Sequence, residues 1–283
     1  MNIKGIFASD IDNTLTDKRH IIPDEVVNYL IGLFNNGWQI VFLTGRTFSF
    51  AMMSMEKFNA PFMLGVQNGA EVLSMPHANI IYQNFIQKET LTDLDRIFAQ
   101  FDTGYIVYSG FQAGDFCYYT PNRFSVDMLN YFKKLQSLSS AVWTPVESFE
   151  KIIAEKFPLV KVFGPRGQLD EICAIITREC MLTASVITDT VDPTKGILLI
   201  TAKDVDKGRV LSRLCKDQGW DCPVIAAGDD ENDASLLDYA DVSICVKGGS
   251  KRLETVADIV TPPSVEFGII QGIEQAMGKL SWK

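Results

Sequence analysis

An apolar run that breaks on two aspartates constrains this chain more than any other stretch. Ile3 to Ala8 leads into Ser9-Asp10-Ile11-Asp12-Asn13-Thr14-Leu15. A short apolar run bounded by Asp, Asn and Thr reads as a buried strand, and residues two apart on a strand share a face. Asp10 and Asp12 are therefore expected to point the same way. Carboxylates so placed repel, so each needs a cation or a raised pKa, and a hard divalent ion with oxygen ligands answers that need. Such a pair can also divide labour, one attacking as a nucleophile while the other, protonated, gives and takes protons. The competing reading is a strand end followed by an Asx turn, with both carboxylates in water. An EF-hand loop is excluded because its sixth position calls for glycine and this chain has Leu15 there.

The order of segments after this turn sets the fold class. Pro23-Asp24-Glu25 opens a helix with Val26, Val27, Leu30, Ile31 and Phe34 on one face, and Gly37 ends it. Trp38 to Leu43 reads as a second buried strand, stopping at Thr44-Gly45-Arg46-Thr47. Strand, helix, strand, helix implies parallel strands joined by right-handed crossovers, with ligands beyond the carboxyl ends of the strands. Thr44 can donate to a bound anion there, or simply cap the next helix beside a solvated arginine. Phe62 to Gln67 is a third strand, and Asn68-Gly69 is a hairpin signal leading into Glu71 to Ser74. The amide of Asn68 can also face the ligand cleft.

From about Ile80 to Asp192 the texture changes to aromatic alternation, at Tyr105 to Phe111 and Phe116 to Tyr119, with fewer crossover signals. We expect an inserted α+β domain over residues 81–192, with Pro76 and Pro193 near its hinges. Its aromatics are read as core. The parallel core, residues 1–80, is then expected to resume over residues 193–283, first with the strand Ile197 to Ile200. Lys207 sits at the mouth of an amphipathic helix, where its charge opposes the helix dipole, so helix stability does not account for it. Val224 to Ala227 ends in Gly228-Asp229-Asp230-Glu231-Asn232-Asp233. Four acids in five positions exceed what capping needs, and Asp229 and Asp233, four apart, can face one side as a helix begins. Val242 to Val246 and the helical stretches Lys251 to Ala257 and Gly268 to Met277 complete the layer.

Charge and composition exclude some partners. With a formal net charge of -9, neither a nucleic-acid backbone nor an anionic membrane is expected as the main partner. No apolar stretch reaches transmembrane length, and the six cysteines show no C-x-x-C, so a cytoplasmic protein with reduced thiols is expected. No G-x-G-x-x-G follows the first strand and no P-loop occurs, which argues against a dinucleotide-binding module. His20 and His77 fall in expected loops and are read as non-catalytic. Oligomeric state is not legible.

Taken together, these segments resemble the haloacid dehalogenase-like phosphohydrolase superfamily, in its Cof-type branch with a large α/β cap. Asp10-Ile11-Asp12-Asn13-Thr14 is similar to the first motif, Leu43-Thr44-Gly45-Arg46 to the second, Lys207-Gly208 to the third, and Gly228-Asp229 to Asn232-Asp233 to the fourth. The resemblance implies a Rossmann-like parallel sheet with helices on both faces plus an inserted α+β cap. It implies Asp10 as nucleophile and Asp12 as proton donor and acceptor, with Thr44 and Lys207 holding phosphoryl oxygens. Gly45, Arg46, Asn68 and Asn232 would contribute to phosphate or substrate binding. Asp10, Asp12 through its carbonyl, Asp229 and Asp233 would form a Mg2+ site. The implied substrate is a small phosphorylated metabolite, with sugar phosphates first and phosphoglycolate, a glycosyl phosphoglycerate or pyridoxal phosphate as alternatives. A phosphotransferase, a mutase, or an idle binding protein on the same fold are the competing functions. Asn13 departs from the family's usual glycine and is expected to tolerate the turn's positive φ; Asp230 is expected to be solvated.

Overall fold

A computed structural model describes residues 3–138 and 142–280. The chain falls into two compact units, one made of Met1–Thr44, Ala51–Tyr82 and Asp206–Lys283, the other of Gly45–Phe50 and Gln83–Val205.

The first unit is built on an eight-stranded sheet, ordered Ile259–Thr261, Val242–Val246, Val224–Gly228, Gly5–Ser9, Trp38–Leu43, Phe62–Val66, Glu71–Met75, Asn79–Gln83. The first six run parallel. Gly5–Ser9 is buried at every position, which a strand covered on both faces requires. Its side chains alternate, and Ile6 and Ala8 join Val210, Leu211, Leu214 and Leu236 of the helices Lys207–Gln218 and Ala234–Tyr239 in one cluster. The opposite face is covered as well. A Cβ on Gly272, in the helix Gly268–Leu280, would meet Ile244 at 2.8 Å, whereas the adjacent Cys245 belongs to the first cluster.

Local chemistry accounts for the element ends. The helix Asp24–Asn35 carries Asp24 and Glu25 in its first turn, where they favour the dipole, and buries Val26, Val27, Leu30 and Leu33. Just beyond it, Gly37 adopts φ +90°, a conformation glycine reaches without a Cβ clash. Phe62–Val66 and Glu71–Met75 form the expected hairpin, but Val66 pairs with Glu71, leaving Gln67 to Ala70 as a longer turn in which Asn68 (φ 62°) and Gly69 (φ 91°) are left-handed.

The second unit holds a six-stranded sheet ordered Thr183–Thr188, Gly196–Thr201, Leu159–Gly164, Ile106–Tyr108, Cys117–Tyr119, Trp143–Pro145. Its pairings are antiparallel except that between Cys117–Tyr119 and Trp143–Pro145. The aromatics are core, as expected: Tyr108, Phe132, Phe163, Tyr119 and Trp143 pack in one cluster against the helix Val126–Leu138.

One expectation is corrected here. The run Ile197 to Ile200 does not resume the parallel core but lies within Gly196–Thr201, antiparallel to both Leu159–Gly164 and Thr183–Thr188. A continuous apolar run reports burial on two faces and carries nothing about which sheet supplies them. The return to the first unit comes after Val205 rather than at residue 193.

Candidate active site

Three neighbouring parallel strands of the first unit deliver acids and a hydroxyl at their carboxyl ends. Asp10 follows Ser9 and continues the ladder, its N–H donating to Ala227 O at 3.0 Å. Asp229 follows Gly228 on one side, and Thr44 follows Leu43 on the other, its N–H donating to Gly65 O at 2.9 Å. All three residues are buried. The turn after Asp10 is tight, with Thr14 N–H on Asp12 O at 2.6 Å and Asn13 at φ 50°, so asparagine does take the left-handed position.

Lys207 reaches this site from a helix start that its neighbours secure. Asp206 caps the helix, its carboxylate accepting from Arg209 N–H at 2.9 Å. A Cβ on Gly208 would lie 2.0 Å from Ser235 O, so only glycine lets the two helices touch there. The fully buried Lys207 ammonium then donates to Oδ1 of both Asp10 and Asp233. Asp233 spends its other oxygen on the backbone, accepting from Asp229 N–H at 2.9 Å and Asp230 N–H at 3.1 Å. Asp229 is steadied by the Thr14 hydroxyl at 3.1 Å.

Asp10, Asp229 and Asp233 thus form a buried group whose ligand oxygens lie within 4.8 Å of one another. Burial pushes the Asp10 carboxyl up to about 7, Lys207 opposing and Asp233 and Asp12 adding to the rise. Burial likewise raises Asp229 well above the usual carboxylate range, reinforced by Asp233, Asp10 and Asp230. Burial alone would lower Lys207, but Asp10 and Asp233 outweigh it and hold the ammonium charged. One ammonium among three buried carboxylates leaves a deficit of positive charge. Hard oxygen donors with a deficit of that sign fit a divalent metal ion.

The other expected residues fall as follows. The Asp12 side chain stands outside the three-carboxylate group, about one-fifth exposed, with His20 Nδ1 3.4 Å from its Oδ1. Asn68 and Asn232 meet, the Asn232 amide donating to Asn68 Oδ1 at 3.1 Å. Gly45 and Arg46 belong by their contacts to the second unit. Arg46 is buried rather than solvated, its guanidinium 4.1 Å from the Phe50 ring centre and donating to Phe50 O at 3.2 Å. Asp230 is also buried, where it caps the turn by accepting from Glu231 N–H at 2.8 Å, which corrects the expectation that it is solvated.

Several supports of the site went unread in the sequence. Ser250 N–H donates to Asp229 O at 2.8 Å, and the Ser250 hydroxyl donates to Glu231. Arg252 holds the other Glu231 oxygen through Nη2 at 2.7 Å, so Glu231 fastens the acidic loop to the turn before the helix Lys251–Val256. The only sequence signal was Gly248-Gly249-Ser250, one residue beyond the apolar strand Val242–Val246. A Cβ on Gly249 would sit 2.2 Å from Asp229 O and 2.8 Å from Asp229 Oδ2. Gly249→Ala must therefore displace the Asp229 backbone. It is expected to cost about 1–3 kcal/mol in urea unfolding, as overpacking does, and to weaken divalent-metal binding. An unchanged midpoint would show that the turn yields freely.

Comparison with known proteins settles the family. The profile described as haloacid dehalogenase-like hydrolase matches residues 7–273, nearly the whole chain. The chain belongs to this family. It is 23% identical over 261 residues to a putative phosphatase of Haemophilus influenzae, covering 87% of this chain and 86% of that protein. It is 22% identical over 272 residues to a phosphoglycolate phosphatase of Methanothermobacter thermautotrophicus, covering 96% and 98%. Among solved structures, a subclass IIB sugar phosphatase of the same superfamily superimposes with a TM-score of 0.75 at 19% identity, over 96% of this chain and 98% of the other. As a member of this hydrolase family the chain is an enzyme, and its α/β architecture is that of the family. No described helix is long and apolar enough to cross a membrane.

Proposed function

We propose that this hydrolase is a magnesium-dependent phosphatase of a small phosphorylated metabolite, with a sugar phosphate as the leading class. The observation that carries the reading is the placement of Asp10: a buried carboxylate at the end of a central parallel strand, bound by Lys207 and flanked by Asp229 and Asp233. The names of the relatives, phosphatase and phosphoglycolate phosphatase, agree with it.

In this reading an Asp10 oxygen attacks phosphorus, forming an aspartyl-phosphate while the ester P–O bond breaks and its electron pair leaves with the alcohol oxygen. Asp12 gives that oxygen its proton, then takes a proton from the water that hydrolyses the aspartyl-phosphate. Lys207 and Thr44 hold the phosphoryl oxygens. Asp10, the Asp12 carbonyl, Asp229 and Asp233 would hold Mg2+, which when bound supplies the positive charge a dianionic phosphate needs beside carboxylates. Selection of the leaving group falls to the second unit, which serves as the cap.

The test is free phosphate released from a panel of phosphorylated metabolites, with Mg2+ and with chelator. We expect Mg2+-dependent release, strongest on sugar phosphates. Transfer of the phosphoryl group to a second sugar with no free phosphate would replace the reading with a phosphotransferase, and no turnover on any ester would overturn it.

Metal binding should also depend on pH. A carboxyl with a pKa near 7 is mostly protonated at pH 6 and mostly ionised at pH 8. Since the metal-bound form needs the carboxylate, Mg2+ must expel that proton at low pH. Titration calorimetry in buffers of different ionisation enthalpy is expected to show more proton release at pH 6 than at pH 8, with Asp10 and the likewise raised Asp229 both contributing. Apparent affinity should fall at least about tenfold per pH unit below 7. Affinity that is flat across this range would mean Asp10 is not a ligand.

A further inference from the structure

We propose that His20 is a positioning residue for Asp12, its imidazole fixing the carboxyl group that protonates the leaving alcohol oxygen. The inference rests on the phosphatase reading above and concerns the same site. The ring lies with Nδ1 3.4 Å from Asp12 Oδ1, and with its hydrogen on Nδ1 it donates to that oxygen.

The backbone around His20 is held from several sides. His20 has φ 61°, in the left-handed region that non-glycine residues seldom adopt. Asp17 organises the turn: its Oδ1 accepts from Arg19 N–H at 2.8 Å and Ile21 N–H at 3.2 Å, and its Oδ2 from Arg19 Nε at 2.8 Å. Its backbone closes the turn, with Asp17 N–H on Ile21 O at 2.9 Å and His20 N–H on Asp17 O at 3.0 Å. The His20 carbonyl accepts the Ser54 hydroxyl, and Ile22 N–H donates to Ser54 O at 3.3 Å, pinning the far side of the turn to the core. Backbone held in a sparsely populated region by its surroundings is a pointer to function. Here the side chain so presented contacts Asp12.

The role is separable from a purely structural one by leaving group. An alkoxide leaves poorly unless protonated as the P–O bond breaks, whereas p-nitrophenolate leaves without help, so a misaimed general acid is felt only with the former. The value of kcat/KM, which ends with the first irreversible step, isolates that proton transfer from the later attack of water.

The experiment compares His20→Gly, which removes the ring and suits φ 61°, with His20→Asn, whose amide nitrogen can replace Nδ1 and which also accepts a left-handed backbone. Each is assayed on p-nitrophenyl phosphate and on the best alkyl phosphate of the panel, with Mg2+ affinity measured alongside. His20→Gly is expected to lower kcat/KM about tenfold on the alkyl ester and less than about twofold on the aryl ester, at unchanged Mg2+ affinity; these losses sit below the ~100-fold or more that a general acid itself contributes. His20→Asn should recover most of the loss. Equal losses on both esters, or none on either, would overturn the inference while leaving the phosphatase reading intact. A wild type inactive on both esters would overturn that reading, and this inference with it.

Discussion

Asp10→Asn is expected to lower Mg2+-dependent phosphate release by ~10^4-fold or more, the scale on which hydrolases lose rate when a covalent nucleophile is removed. The substitution keeps the size of the side chain and leaves Lys207 a partner in the amide oxygen. The fold should therefore survive, and the loss can be assigned to chemistry. An amide does not attack phosphorus as a carboxylate does, so no aspartyl-phosphate forms. Two readouts check this: rate on the best substrate of the panel, and mass of the acid-quenched protein, in which the wild type gains one phosphoryl group and the variant does not. Release undiminished in a preparation shown by mass to be free of reverted aspartate would remove Asp10 from its role.

Lys207→Met should have the largest effect on stability. Lys207 is fully buried and joins Asp10 and Asp233, so its removal strands carboxylates that burial already disfavours. Breaking a buried ion pair from one side costs about 3–5 kcal/mol. The loss has a predictable pH dependence. Asp10 and Asp229 already have raised pKa values in the folded protein, and without the ammonium these rise further. The folded state then binds more protons than the unfolded state from about pH 4 upward, so stability falls as pH rises. The variant should unfold at lower urea at pH 8 than at pH 5.5, with a larger difference than wild type, and divalent metal should restore part of the loss at pH 8. A pH-independent deficit would mean that lost packing of the lysine stem, not stranded charge, dominates.

Much of this arrangement could be read from residue order because the features are local. Asp10 stands at the end of a strand whose apolar run is unbroken, and Asp229 and Asp233 sit four apart where a strand passes into a helix. Lys207 was conspicuous through an unfavourable placement at a helix start. What escaped was set by pairing between distant segments. Gly196–Thr201 is as apolar as the core strands, and only its antiparallel partners assign it to the second unit. Asn68 finds Asn232 across 164 residues, and Glu231 joins Ser250 and Arg252 through single polar side chains with no period to betray them. His20 looked like a loop histidine because nothing local says that its turn folds back onto Asp12. Asp230, expected in water, and Arg46, which the competing reading of its turn put there, are buried because charged groups that stack or cap can leave solvent.

The sheet order also governs when the site can exist. Gly5–Ser9 takes Trp38–Leu43 as one neighbour early, but its other neighbour, Val224–Gly228, is made only after the whole second unit. Thr14 and Asp229, which meet in the site, are 215 residues apart in the chain. At ribosomal rates of about 5–20 residues per second, roughly 10–40 s separate their synthesis. Through that interval the strand bearing Asp10 has an unpaired edge, which is a template for association with other nascent chains. Assembly of the three-carboxylate group therefore waits for a chain translated past its acidic loop, and a ribosome stalled before residue 224 would present an N-terminal portion that is sticky and catalytically silent.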